Sequence, residues 1–168
     1  MAKELYNGGW FTHNVTDQGV EFLQEEKDGV TVLCHDFSRK DGRYFLLLHE
    51  QCSAYESTKP QLCALTGSID AGETPLETAI REVREEAGVV VLADQVDELG
   101  VVFTYKGCTK RTYLFCADLE EATFVHPVGD GSAVEESAYV RWHSLEDLLA
   151  CDDALLLATY ARMNATNN

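Results

Sequence analysis

The segment Gly67–Val89, GSIDAGETPLETAIREVREEAGV, decides how this chain is read. Thr74-Pro75-Leu76-Glu77 opens a helix. Thr74 is placed to cap it, Pro75 takes the first helical position, where a missing N–H costs nothing, and Glu77 can close a capping box. Gly88 is placed to end the helix in the left-handed conformation. Between these signals Leu76, Ala79, Ile80, Val83 and Ala87 recur at helical spacing and form one apolar stripe. Glu82, Glu85 and Glu86 stand three and four positions apart on a neighbouring face. A helix packed by its stripe therefore presents a carboxylate cluster. Arg81 lies within helical reach of both Glu77 and Glu85. The like-charge pair Glu82/Glu86 costs only about 0.2–0.5 kcal/mol on a wet face, so such a cluster is tolerated even without a function. Mg²⁺ takes one or two carboxylates, several waters and phosphate oxygens, which this arrangement suits.

Outward from the helix, short apolar runs alternate with turns. Val20–Leu23 and Val30–Cys34 read as strands around the turn Lys27-Asp28-Gly29. Tyr44–His49 is a continuous apolar strand, expected to be buried on both faces, after the turn Lys40-Asp41-Gly42. Residues 50–61 are polar and irregular, and Leu62–Leu65 is a strand leading into the Gly67 loop. Val101–Tyr105 and Arg111–Ala117 read as a hairpin around Lys106-Gly107-Cys108. Tyr139–Trp142 is a further strand, Leu145–Leu149 a short helix and Ala154–Arg162 a terminal helix, with 163–168 a frayed tail. At 168 residues the whole chain, 1–168, is expected to form a single domain.

Composition narrows the function. The formal charge of −16 repels polyanions, and no basic stripe with interleaved aromatics offsets it. Long DNA or RNA is thereby disfavoured as a partner, whereas a small nucleotide accompanied by Mg²⁺ is not. No apolar run is long enough to span a bilayer, and MAKELYNGGW lacks the pattern of a signal peptide. The six cysteines show no CxxC spacing and several lie in apolar runs. A cytoplasmic, reducing location without membrane contact is the expectation.

The spacing Gly67, five residues, Glu73, seven residues, then Arg81-Glu82-Val83-Arg84-Glu85-Glu86-Ala87-Gly88-Val89 resembles the Nudix hydrolase signature at every specified position. A chance match is roughly a one-in-a-million event. Tyr139-Val-Arg-Trp142-His-Ser-Leu-Glu-Asp-Leu also resembles the family's last strand and helix. The resemblance implies an α/β fold in which a mixed β-sheet is sandwiched between α-helices (α/β/α). It also implies metal-dependent cleavage of a nucleoside diphosphate linked to another group, with Mg²⁺ as cofactor and Mn²⁺ as its substitute.

Roles follow from the resemblance residue by residue. Glu85 and Glu86 match the principal metal ligands, Glu82 a further ligand or the base, and Arg81 the residue that orients them. Glu73 matches a supporting acid, Gly67 opens the loop, and the main-chain carbonyl of Thr66 is a further ligand. Many members carry Gly at that last position, so Thr66 is a departure, as is Asp70 where many carry Glu. Glu135 or Glu136 stands where members often recruit another acid. Tyr105, sixteen residues after Val89, resembles the pattern of dinucleoside polyphosphate hydrolases, while the Pro that would indicate ADP-ribose is absent. Arg43, Lys110 and Arg111 are candidate phosphate contacts. Trp10, Phe11 and Tyr55 are candidates to stack on a base. Dinucleoside polyphosphates or nucleoside triphosphates lead among substrates. RNA-end pyrophosphohydrolase or decapping activity, ADP-ribose or sugar-nucleotide hydrolysis, and non-catalytic nucleotide sensing are the alternatives. Sensing modules often lose box glutamates, and this chain keeps them all. Residues 1–25 offer a paired or swapped strand for a homodimer.

Overall fold

The computed structural model describes residues 2–9, 11–51, 59–127 and 138–166. Trp10, Tyr55, Glu135 and Glu136 lie outside them, as does most of the polar stretch 50–61. Three strands, β1 (Lys3–Asn7), β2 (Phe11–Val15) and β3 (Glu21–Glu25), precede β4 (Gly29–His35) and β5 (Phe45–Glu50). Then come β6 (Gln61–Cys63), β7 (Leu65–Ser68), α1 (Pro75–Ala87) and β8 (Val89–Val90). The chain continues through β9 (Val96–Phe103), β10 (Arg111–Asp118), β11 (Thr123–Phe124) and β12 (Tyr139–His143). It closes with α2 (Leu145–Leu149) and α3 (Ala154–Thr166).

The central sheet runs in the order β12-β5-β4-β10-β9, with β6 on β5 and β7 on β4. β10 lies parallel to β4, with Tyr113 opposite Val30, and the other pairs are antiparallel. Central strands must be apolar on both faces when helices cover both. From one face of the sheet Val30, Val32, Leu46 and Phe115 pack against Ala79, Val83 and Ala87 of α1. From the other Leu33, Phe45 and Leu47 pack against Leu148 of α2 and Leu156 and Met163 of α3. The expected three-layer α/β/α arrangement is thus the one found. Among the described residues no helix is long and apolar enough to cross a membrane.

Several local expectations are corrected. The run Leu62–Leu65 is two strands, because Cys63 pairs with Leu48 of β5 whereas Leu65 pairs with Val32 of β4. Between them the Ala64 amide leaves the ladder and donates to Asp153 Oδ2 at 3.0 Å. β3 does not return onto β4; it pairs with β2 in a separate three-stranded sheet. The tail assigned to 163–168 is helical to Thr166, since Met163 is buried in the core against the sheet. The β9 strand stops at Phe103, which leaves Tyr105 in the turn rather than at the strand end.

A histidine pair ties β5 to β12. His49 Nε2 lies 2.9 Å from His143 Nε2, and His143 Nδ1 lies 3.3 Å from Asp147 Oδ2. The His49 ring stacks on Tyr139 at 4.6 Å. Only one of the two facing nitrogens can carry the shared proton. Burial, reinforced by the neighbouring His143 and Arg141, holds His49 below the usual imidazole range. Burial also lowers His35, against the pull of Asp118, Asp36 and Asp97. Both folded values therefore lie below the unfolded value of about 6.5. The two rings contribute their full stability above that pH and lose it as pH falls toward their folded values. The melting temperature is expected to drop between about pH 7.5 and 5.5, with a shallower drop in H49N. A wild-type melting temperature that is flat across this interval would contradict the assignment.

Candidate functional site

The local sequence builds α1 as its end signals require. Thr74 Oγ1 accepts the Glu77 amide at 3.2 Å, and Glu77 Oε2 accepts the Thr74 amide at 2.8 Å. This closes the capping box, and the first-turn Glu77 also suits the positive end of the helix dipole. Glu77 is thereby held by the cap, and its carboxyl sits below its ordinary value because of those Thr74 bonds. At the other end Gly88 takes φ 64° and returns its amide to Arg84 O.

With α1 anchored on the core through Ala79, Val83 and Ala87, its polar flank converges on Arg81. Arg81 Nε donates to Glu73 Oε1 at 3.0 Å, and Nη2 to Glu73 Oε2 and the Ser68 carbonyl, each at 3.2 Å. Its Nη1 donates to Glu82 Oε1 at 2.7 Å and Glu85 Oε2 at 2.8 Å. One planar guanidinium therefore holds three carboxylates and the loop backbone at once, using the fixed fork of donors that only Arg possesses. Its own proton affinity is raised, first by the Glu73 bonds. Glu73 is correspondingly lowered by Arg81, with Thr78 Oγ1 donating to it at 2.8 Å. Arg81→Lys keeps the charge but not the fork, so Glu73, Glu82 and Glu85 cannot all stay satisfied. A loss of about 1–3 kcal/mol of stability is expected. Urea denaturation of the variant checks it, and an unchanged midpoint would refute the role of the fork.

Glu86 faces another way. Its Oε2 accepts the Thr66 amide at 3.0 Å, which ties α1 to β7. Gly67 leaves room for Glu82, which is only 8% exposed: a Cβ built on Gly67 would lie 1.8 Å from Glu82 Oε1. The structure thus gathers Thr66, Gly67, Glu73, Arg81, Glu82, Glu85 and Glu86, all expected from the sequence, around the junction of β7 and α1. The carboxylates cluster on Arg81, however, rather than on a shared void. Among the described residues no three His, Cys, Asp or Glu side chains converge on a point fit for one ion.

Beside this junction lies a cleft of about 290 Å³, with Thr66, Gly67 and Ser68 on one side and Glu25, Lys110 and Thr112 on the other. Lys110 is therefore brought to the site. Arg111 borders it but is committed to Asp28, through Nη2 at 2.6 Å and Nε at 2.9 Å. Tyr105 is 62% exposed in the turn between β9 and β10, its ring folded against Gly107. Arg43 is not brought here. It precedes Phe45, which pairs with His35 at the far end of β4 from Gly29 and Ser68. Glu25 is a charged cleft residue that sequence reasoning does not single out, because nothing near it in the chain marks the approach of β3.

A family model described as the NUDIX domain matches residues 27–162. The asymmetrical bis(5'-nucleosyl)-tetraphosphatase of Rattus norvegicus is 32% identical over 127 residues, covering 73% of this chain and 74% of that protein. A putative nudix hydrolase 2 of Caenorhabditis elegans is 37% identical over 70 residues, 40% of this chain and 29% of that protein. Among solved structures, an ADP compounds hydrolase superposes with a TM-score of 0.70 at 17% identity. That superposition covers 98% of this chain and 90% of that one, and it speaks to the fold alone.

Proposed function

From the premise that the chain belongs to the Nudix family of nucleotide pyrophosphohydrolases, we propose that it cleaves a phosphoanhydride bond in a dinucleoside polyphosphate or nucleoside triphosphate. The observation that carries this reading is the Arg81-centred carboxylate cluster standing beside the Lys110 cleft. The rat tetraphosphatase, related over most of both chains, supports the dinucleoside polyphosphate assignment. Net acidity supports small nucleotides over capped or long RNA.

Members of this family typically depend on a divalent metal, and the donor set fits one. Every candidate ligand is an oxygen, from Glu82, Glu85, Glu86 or the Thr66 carbonyl, which selects a hard ion such as Mg²⁺ or Mn²⁺. Such an ion needs only one or two carboxylates, so it does not require three acids converging on one point. A carboxylate has about four lone-pair sites, so accepting an N–H and ligating a cation are compatible. When bound, the cation neutralises phosphate oxygens and acidifies water. The protein's own part is positional. Arg81 fixes Glu82 and Glu85, the Thr66 amide fixes Glu86, and Lys110 neutralises phosphate charge in the cleft. Glu82 either serves a second ion or receives the proton of the attacking water.

The deciding experiment is product release from diadenosine polyphosphates, nucleoside triphosphates, ADP-ribose, NADH, sugar nucleotides and capped RNA with Mg²⁺ or Mn²⁺. Turnover of the first two classes is expected. Preferential turnover of ADP-ribose or capped RNA would replace this substrate assignment, and binding of nucleotide without turnover would favour a sensor. A homodimer is part of the same proposal. Among the described residues β1 pairs only with β2, and Leu5 and Tyr6 are exposed on it. A monomeric mass by sedimentation equilibrium would remove the dimer.

A further inference from the structure

The N-terminal sheet β1–β3 lies outside the segment 27–162 that the family model matches, yet it reaches the cleft. Its attachment is a backbone clasp: the Leu23 amide donates to Gly107 O at 2.6 Å, and the Thr109 amide to Leu23 O at 2.9 Å. Two residues further along β3, Glu25 uses both carboxylate oxygens on the same turn. Oε2 pairs with Lys110 Nζ at 2.8 Å, and Oε1 accepts from Cys108 Sγ at 3.4 Å. Lys110 is the one cation among the described residues lining this cleft. Its stem runs beside the loop of the carboxylate site. A Cβ on Gly29 would lie 3.0 Å from Gly67 O and 3.1 Å from Lys110 Cε, so those two atoms share one neighbourhood. In the same cleft the Thr112 hydroxyl is buried and has no hydrogen-bond partner.

We propose that Glu25 is a specificity-determining residue that competes with substrate phosphate for the Lys110 ammonium. The inference rests on the pyrophosphohydrolase reading above and deepens it. A phosphate chain bound at the Glu82–Glu86 end and running along Gly67 O would come to Lys110, because Gly67 O and Lys110 Cε lie 3.0 and 3.1 Å from the same Cβ position on Gly29. Lys110 and Glu25 are both about a third exposed or less, at 27% and 34%. A carboxylate pair at such a site is weak, and a phosphate group with more charge and more acceptors displaces it. Longer phosphate chains reach the ammonium and repay the displacement, whereas shorter ones leave the Glu25–Lys110 pair closed. The N-terminal sheet thereby biases the site toward polyphosphate-bridged substrates.

The test is a double-mutant cycle with Glu25→Gln, Lys110→Gln and the double variant, and with Lys110→Arg as the charge-retaining control. Inorganic tripolyphosphate and pyrophosphate are titrated calorimetrically into each protein in the presence of Mg²⁺, after matched thermal melts show all to be folded. Glu25→Gln is expected to tighten tripolyphosphate binding about two- to five-fold. Lys110→Gln weakens it about ten-fold or more, and Lys110→Arg restores most of that loss. In the Lys110→Gln background the effect of Glu25→Gln disappears, and pyrophosphate responds less throughout. With a substrate that the wild type turns over, the same shifts appear in KM rather than kcat. The proposal is overturned if Lys110→Gln binds tripolyphosphate like wild type. It is equally overturned if the Glu25→Gln effect survives without Lys110, which would make it a simple net-charge effect, or if the wild type binds neither anion. Wild-type protein that hydrolyses nothing while the titrations behave as described would instead sink the hydrolase reading.

Discussion

Glu86→Gln is expected to lower metal-dependent turnover by more than about 100-fold, with the melting temperature little changed. A glutamine at this position keeps an oxygen for the Thr66 amide, now accepted at 3.0 Å, so the tie between α1 and β7 survives. The charge is lost, and with it the ability to compete for a divalent cation against water. Residues one step removed from a metal already cost about 10–100-fold when replaced, so a direct ligand should exceed that range. Glu85→Gln should behave alike, since its amide oxygen still accepts from Arg81 Nη1. Raising Mg²⁺ or Mn²⁺ should recover part of the activity if the defect is weakened binding. Glu77→Gln is the internal control, because Glu77 serves the helix cap. Steady-state rates over a metal titration decide the matter. Activity of Glu86→Gln within about three-fold of wild type would reduce Glu86 to a strut between helix and strand.

The parts of this molecule that were legible in the sequence are those whose causes are local. Thr74, Pro75, Glu77 and Gly88 act within three or four residues of themselves, so the bounds of α1 follow directly from them. The apolar stripe and the carboxylate face follow from helical periodicity in the same way. Causes that lie far along the chain were not legible. Asp153, 89 positions away, removes the Ala64 amide from the ladder and splits the expected strand. Asp28 claims Arg111 across 83 positions, and Glu25 reaches Cys108 across the same separation. Arg43 illustrates the limit from the other side. A basic residue near a turn has the right chemistry for a phosphate, but its end of β4 is set by strand register, which composition does not encode. β1 is polar and exposed throughout, so it has no clean period-two signal to announce it, whereas β3 overlaps the run Val20–Leu23 that reads as a strand.

Gly67→Ala is expected to damage both the fold and the site through a single methyl group. The added Cβ would fall 1.8 Å from Oε1, 2.1 Å from Cδ and 2.4 Å from Cγ of Glu82. No relaxation of a few tenths of an ångström relieves such overlap, so the Glu82 side chain must leave its position. It cannot do so alone. Glu82 Oε1 accepts from Arg81 Nη1 at 2.7 Å, and the same nitrogen holds Glu85 at 2.8 Å. Displacing Glu82 therefore disturbs the fork that also engages Glu73 and the Ser68 carbonyl. Overpacking of this kind costs about 1–3 kcal/mol of stability. Misplacing a reacting group by about 1 Å can cost 100-fold in rate, so a turnover loss of that order is expected even in the folded fraction. Measuring kcat beside a urea melt separates the two effects. A folded Gly67→Ala protein with wild-type kcat would mean that the position of Glu82 does not matter to the chemistry. The catalytic burden would then rest on Glu85 and Glu86, whose bonds to Arg81 and Thr66 the methyl group does not meet directly.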